Sequence, residues 1–227
     1  MKYKLVCVDM DGTLLDSSKN IKKRNIEVIR KADKMGVKVV LTTGRGYPFA
    51  KEFRDKMGIS TPIIASNGAY IIDGHEVMLK NVIPMETANT ILDVMERHKV
   101  KTFIHTTEDI IYRKKDMNKF LAKKLFGNSL KGIDSFEVGL NDHKDKLLKF
   151  IGISISSKKI DRVKEILRKI DNIEVVSSNK LNCEIMIKGS SKGEAVRMMA
   201  EKYKIRQEEV MCIGAVSYTH LLIFWKD

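Results

Sequence analysis

Three short apolar runs near the start of the chain each end in a small polar turn, and helix-like stretches separate them. Lys4-Leu5-Val6-Cys7-Val8 runs into Asp9-Met10-Asp11-Gly12-Thr13, and Val37–Leu41 into Thr42-Thr43-Gly44-Arg45. Ile63-Ile64-Ala65 runs into Ser66-Asn67-Gly68-Ala69. Between the first two, residues 22–35 carry Ile26, Ile29 and Met35 among charges, a helix with one buried stripe that stops at Gly36. Tyr47–Met57 reads as a second helix. Strand, helix and strand of this length form a right-handed βαβ unit, and ligands of a parallel sheet lie beyond the carboxyl ends of its strands. The polar turns therefore share one edge.

That edge is chemically loaded. Asp9 and Asp11 repel each other unless a cation or a shared proton separates them, and magnesium between them is the simplest resolution. One carboxylate can then act as a nucleophile while the other moves protons. An acidic glycine turn alone is a common strand ending. The Thr43-Gly44 turn offers a hydroxyl and backbone amides to a phosphate oxygen, and the helix that follows presents an N-terminus that favours anions.

Tyr70–Ile72 and Val77–Leu79 read as a hairpin about Asp73-Gly74. From Pro84 the pattern becomes irregular. Residues 85–99 suit a helix with Ala88, Ile91, Leu92 and Met95 inward, and Lys101–His105 and Ile110–Arg113 suggest a strand pair. Asp116 is placed to cap a helix reaching Phe126, and residues 127–145 take no assignment. Leu147–Ile155, Lys158–Ile170, Ile173–Ser177 and Leu181–Ile187 read as strand, helix, strand and strand. This mixture implies an open α+β sheet with helices on one face. His105, Arg113, His143 and Lys146 are expected to be solvated surface residues.

After Lys188-Gly189, Ser190 or Ser191 can cap the next helix, with Glu194 three residues past Ser191 as the capping-box acid. Lys192 in the first helical turn opposes the helix dipole, which favours a functional role over a stabilising one. An ammonium there would neutralise charge on a bound phosphate. Ala195, Val196, Met199 and Ala200 mark the buried side of that helix, and Glu209–Gly214 is the next strand.

Together Asp-Met-Asp-Gly-Thr-Leu-Leu, Thr-Gly-Arg and Lys-Gly-x-Ala, each after a strand, resemble the first three motifs of the haloacid dehalogenase (HAD) superfamily in its Cof-type form, as does Ser-Asn-Gly-Ala. The resemblance implies an α/β, Rossmann-like core with a parallel sheet plus an inserted α+β cap domain. It divides the chain into core residues 1–83, a cap of 84–187 that closes over the turn and selects the leaving group, and core residues 188–214. It makes Asp9 the nucleophile and Asp11 the acid/base, whose backbone carbonyl also binds magnesium beside Asp9. Thr43, with Gly44, becomes the phosphate-binding turn, and Lys192 the charge stabiliser. The implied activity is magnesium-dependent hydrolysis of small phosphorylated metabolites, sugar phosphates or phosphorylated cofactors, through an aspartyl-phosphate.

The pattern breaks after Gly214. The family strand ends in Gly-Asp followed by Asn-Asp, whereas this chain reads Gly214-Ala215-Val216-Ser217-Tyr218-Thr219-His220-Leu221, with no carboxylate between Glu209 and Asp227. Losing one anionic ligand weakens magnesium without abolishing its binding, because the ion keeps several waters. Ala215-Val216-Ser217-Tyr218-Thr219-His220-Leu221 resembles one translated frame of a sequencing adapter, so the tail of 215–227 is expected to be foreign and the native sequence to stop near Gly214. The alternative function is a catalytically incomplete or non-catalytic phosphate-binding chain.

Composition excludes other classes. The 227 residues are 43% hydrophobic and 31% charged, an ordinary globular balance, with no membrane-length apolar stretch or signal peptide, so a cytoplasmic location is expected. Cys7, Cys183 and Cys212 are widely spaced in apolar runs and read as buried reduced thiols. The net charge of +13 is spread over the helices, without the basic arm or interleaved aromatics of a nucleic-acid binder. No P-loop GxxxxGK[ST] occurs. The expected partner is a small phosphorylated molecule, with no nucleic acid and no membrane, and oligomeric state is left open.

Overall fold

The computed structural model describes residues 2–214. In chain order it runs β1 (Leu5–Asp9), α1 (Lys23–Lys34), β2 (Lys38–Thr42), α2 (Tyr47–Met57), β3 (Ile63–Ala65), β4 (Tyr70–Asp73) and β5 (Glu76–Lys80). There follow α3 (Met85–Arg97), β6 (Lys101–Thr106), β7 (Ile110–Arg113), α4 (Lys119–Phe126), β8 (Leu130–Ile133) and α5 (Phe136–Gly139). The chain continues with β9 (Leu147–Ile153), α6 (Ser157–Leu167), β10 (Ile173–Val176), β11 (Asn182–Ile187), α7 (Lys192–Lys202) and β12 (Val210–Ile213). It divides into two compact units: the residues up to Leu79 with those from Ser191 onward, and Lys80–Ser190.

The first unit is built on a sheet ordered β12-β1-β2-β3-β4-β5. Pairing is parallel from β12 to β3, and β4 returns antiparallel to β3. The apolar runs form these strands because β1, β2 and β3 are shielded by neighbours and helices, which suits near-continuous Val, Ile and Leu. α7 covers the face carrying Leu5, Cys7, Val40, Ile64 and Ile71, packing Ala195, Val196, Met199 and Ala200 against it. Burying each large aliphatic side chain there contributes about 1.5–3 kcal/mol. α2 ends at Gly58 in the left-handed region, and α1 ends before Gly36 at φ 83°. Met35, read as part of the buried stripe of α1, is instead exposed; only Ile29 of that helix is fully buried. The stripe narrows because Met35 has already left the helix at its C-cap.

The inserted unit holds a second sheet ordered β10-β11-β9-β6-β7-β8, antiparallel except for β7 with β8. Helices were expected on one face; they occupy both. α3 and α6 bury Ala88, Ile91, Met95, Ile160, Val163 and Leu167 against Ile104, Phe150 and Ile185. On the opposite face Phe103, Tyr112 and Ile151 pack with Met117 and with Ala122 and Phe126 of α4. The parity of the strands explains this: Phe103 pairs with Tyr112 and Ile104 with Ile111, so each strand presents apolar groups both ways. α4 is capped by Asn118, whose Oδ1 accepts from the Leu121 amide at 2.9 Å, and not by Asp116, which pairs with Arg113 at 2.8 Å. Within 127–145 lie β8, α5 and a further 3₁₀ turn.

Candidate active site

All the site residues singled out from sequence lie in the first unit, at the carboxyl ends of parallel strands or at the start of α7. Alternation along β1 puts Leu5, Cys7 and Asp9 on one face, the face α7 covers. Asp9 therefore reaches toward the N-terminus of α7, and Lys192 Nζ donates to its Oδ1 at 2.6 Å. Both side chains are about nine-tenths buried. Ser191 caps the helix by accepting from the Glu194 amide at 3.0 Å, which leaves Lys192 as the first helical residue. Glu194 does not close a capping box; its carboxylate turns to Arg197, which holds it below the usual carboxylate range.

The β2 turn comes next to it. Asp9 is the register partner of Thr42, so Thr43 and Gly44 follow immediately beyond the Asp9 level. Thr43 is buried; its amide donates to the Ile64 carbonyl at 2.9 Å, and its Oγ1 accepts from the Arg45 amide at 3.0 Å. A Cβ on Gly44 would come within 2.6 Å of Asn67 Oδ1, so a side chain there would have to displace the Asn67 amide. That turn, Ser66–Gly68, is knitted to the β2 turn by Ser66 N–H to the Arg45 carbonyl at 2.8 Å and Asn67 N–H to the Thr43 carbonyl at 3.1 Å. Gly68, at φ 97°, in turn lies against the Ser191 carbonyl, which a Cβ would approach to 2.2 Å. Three separate turns and one helix start are thus locked into a single surface.

Arg45 and Lys19 are residues whose part the sequence reasoning missed. Arg45 grips Asp11 through both oxygens, Nε to Oδ2 at 2.8 Å and Nη2 to Oδ1 at 2.9 Å, and stacks on the Phe49 ring at 4.9 Å. Lys19, at φ 59° in the loop after β1, has its ammonium pushed down by burial and then by the charge of Arg45, with Asp11 opposing. The charges of Asp9, Asp11, Lys19, Arg45 and Lys192 leave the cluster with one net positive charge, an environment that attracts an anion. Thr13 Oγ1 and Thr42 Oγ1 are buried and have no hydrogen-bond partner among the described residues. The donors here are carboxylate, hydroxyl and carbonyl oxygens, which fit a hard divalent cation better than zinc. Among the described residues no group of three His, Cys, Asp or Glu side chains is close enough to hold a metal. The motif expected after Gly214 lies outside the described residues.

In the inserted unit, two expected surface residues prove internal. His105 is 1% exposed and His143 4%, with Lys131 Nζ 3.0 Å from His143 Nε2. Arg113 is tied to Asp116 and Glu96, and Lys146 to Glu108 at 2.6 Å. No helix among the described residues is long and apolar enough to cross a membrane.

The family model of the haloacid dehalogenase-like hydrolases matches residues 6–216. The 5-amino-6-(5-phospho-D-ribitylamino)uracil phosphatase YcsE of Bacillus subtilis strain 168 is 28% identical over 213 residues, covering 93% of this chain and 76% of its own length. A phosphoglycolate phosphatase of Thermoplasma volcanium is 28% identical over 211 residues, with the same 93% and 76% coverage. Among solved structures, a haloacid dehalogenase-like hydrolase from B. subtilis superposes with a TM-score of 0.84 at 23% identity, over 96% of this chain and 86% of that one.

Proposed function

Because the chain belongs to the haloacid dehalogenase-like hydrolases, we propose that it is a phosphatase of small phosphorylated metabolites, sugar phosphates or phosphorylated cofactors, working through Asp9. The observation that carries this reading is the Lys192–Asp9 pair at the end of β1, beside an anion-attracting turn. The relatives' names support the substrate class, since both denote phosphatases of small phosphate esters.

In this reading the Asp9 carboxylate attacks phosphorus and becomes an aspartyl-phosphate while the leaving oxygen takes a proton from Asp11. Asp11 then removes a proton from water, which attacks the acyl phosphate and returns Asp9 to a carboxylate. Lys192 holds one Asp9 oxygen, which orients the other, and offsets the charge that gathers on the phosphoryl oxygens. The hydroxyl of Thr43 and the amide of Gly44 take the remaining phosphoryl oxygens, on a turn whose Thr43 and Arg45 carbonyls are held by the Ser66–Gly68 turn. Asp9 and the Asp11 backbone carbonyl would hold magnesium, which when bound supplies further charge neutralisation. With only these ligands among the described residues, the ion would be held weakly.

A second reading, a phosphate-binding protein without turnover, rests on the fork by which Arg45 occupies both Asp11 oxygens. One experiment separates them: phosphate release from an aryl phosphate, with magnesium or with chelator, by the chain and its Asp9→Asn variant. Magnesium-dependent release lost in the variant is expected. Phosphate binding without release would favour the second reading.

A further inference from the structure

Two of the three cysteines face each other directly beneath the Asp9 turn. Cys7 on β1 and Cys212 on β12 are register partners in the parallel ladder, between the pairs Val6 with Met211 and Val8 with Ile213. Adjacent strands lie about 4.8 Å apart. That is within the Cα separation of roughly 4.4–6.8 Å that a disulfide spans. Register partners also present their side chains to the same face, and both cysteines join the cluster under α7. Cys7 is wholly buried, whereas Cys212 is only half-buried on β12, the outer strand of the described sheet. Cys183 lies in the inserted unit, buried on β11 of the second sheet.

The unequal exposure gives the pair an order of reaction. We propose that Cys7 and Cys212 form an oxidation site that a hydroperoxide converts reversibly to a disulfide joining β1 to β12. The Cys212 thiol takes one peroxide oxygen, giving a sulfenic acid and releasing the alcohol, or water from hydrogen peroxide. The Cys7 thiol then attacks the Cys212 sulfur, the S–O bond breaks, and the hydroxyl leaves as water with the Cys7 proton. The two thiols lose two electrons and the peroxide O–O bond gains them. A small dithiol reverses the step by exchange. Since Asp9 follows Cys7 by two residues on the same face, the bond clamps the strand that carries it.

The test is mass spectrometry of the full chain treated with hydrogen peroxide, digested without reductant, so its outcome is independent of any phosphatase activity. Expected is a loss of two hydrogens, a cross-linked peptide pair containing Cys7 and Cys212, full reversal by dithiothreitol, and Cys183 unmodified. Cys7→Ser should instead stop at a Cys212 sulfenic acid that dimedone traps. Cys212→Ser should leave Cys7 a free thiol. Absence of the cross-link in the wild-type chain while Cys212 proceeds to sulfinic acid would overturn the proposal, as would a disulfide involving Cys183.

Discussion

Among the described residues each unit buries a lysine–carboxylate pair, and the two look alike until their positions are compared. Lys192 meets Asp9 at 2.6 Å and Lys149 meets Glu184 at 2.9 Å, with every side chain at least about 85% buried. Lys149 lies in the middle of β9, directly opposite Met186, and Glu184 is two residues along β11, a diagonal cross-strand neighbour. Antiparallel strands hold that pair on both sides. Asp9 instead ends its strand where three turns and a helix start converge. A buried ion pair therefore does not mark a reactive site by itself; the reading of Asp9 as the reactive group rests on its place at the carboxyl edge of a parallel sheet.

Crossing the two lysines would break or sharpen that contrast most strongly. Lys192→Met is expected to lower turnover on the order of 10²–10³-fold, read as phosphate release, because it removes the cation facing the developing charge. Lys149→Met removes the 2.9 Å ammonium contact to Glu184 and should destabilise the fold by about 1.5–3 kcal/mol in denaturant titration. Adding Glu184→Leu should recover most of that loss. The reverse pattern, with Lys149 controlling turnover and Lys192 only stability, would undo the comparison.

Smaller effects test the surroundings of Asp9. Arg45→Lys keeps the charge but loses the fork, and kcat is expected to fall about tenfold through a less well held Asp11. Gly44→Ala drives a methyl toward Asn67 Oδ1 and should lower stability by roughly 1–3 kcal/mol, an effect that Asn67→Ala relieves. The mildest effect is confined to acid. Lys4, followed by Arg206, pushes the Glu209 carboxyl down to about 2, below an unfolded value near 4.3. The stability this contributes is present above that unfolded value and is lost as pH falls toward 2. Glu209→Gln should flatten the stability profile in that window and leave neutral pH turnover unchanged.

The first unit was the more legible because its signals are local. Tyr47–Met57 and Ile63–Ala65 read correctly to the residue, since apolar runs there end at glycine or polar turns. Asp9, Asp11, Thr43 and Lys192 were visible as polar groups at strand ends or a helix start, and Gly44 as the glycine of the turn after β2. What joins them was not: Arg45 is 34 residues from the Asp11 it grips, and the Asn67 amide that crowds Gly44 comes from the next turn. Lys19 carries no local signal at all. In the inserted unit, β8 (Leu130–Ile133) escaped detection because Lys131 and Gly132 break its alternation, and α5 spans barely one turn. His105 and His143 were misplaced on the surface because burial of a polar ring depends on tertiary neighbours that no sequence period reveals.

The central claim is that Asp9 is the group that receives the phosphoryl. Its most direct test is to mix the Asp11→Asn variant with substrate and magnesium, quench in acid and weigh the peptides. Hydrolysis of the acyl phosphate slows without the Asp11 carboxylate, so one phosphoryl group should accumulate on the peptide containing Asp9 and be absent from Asp9→Asn. Phosphate release with no phosphoryl on that peptide, or a phosphoryl on another residue, would contradict the account.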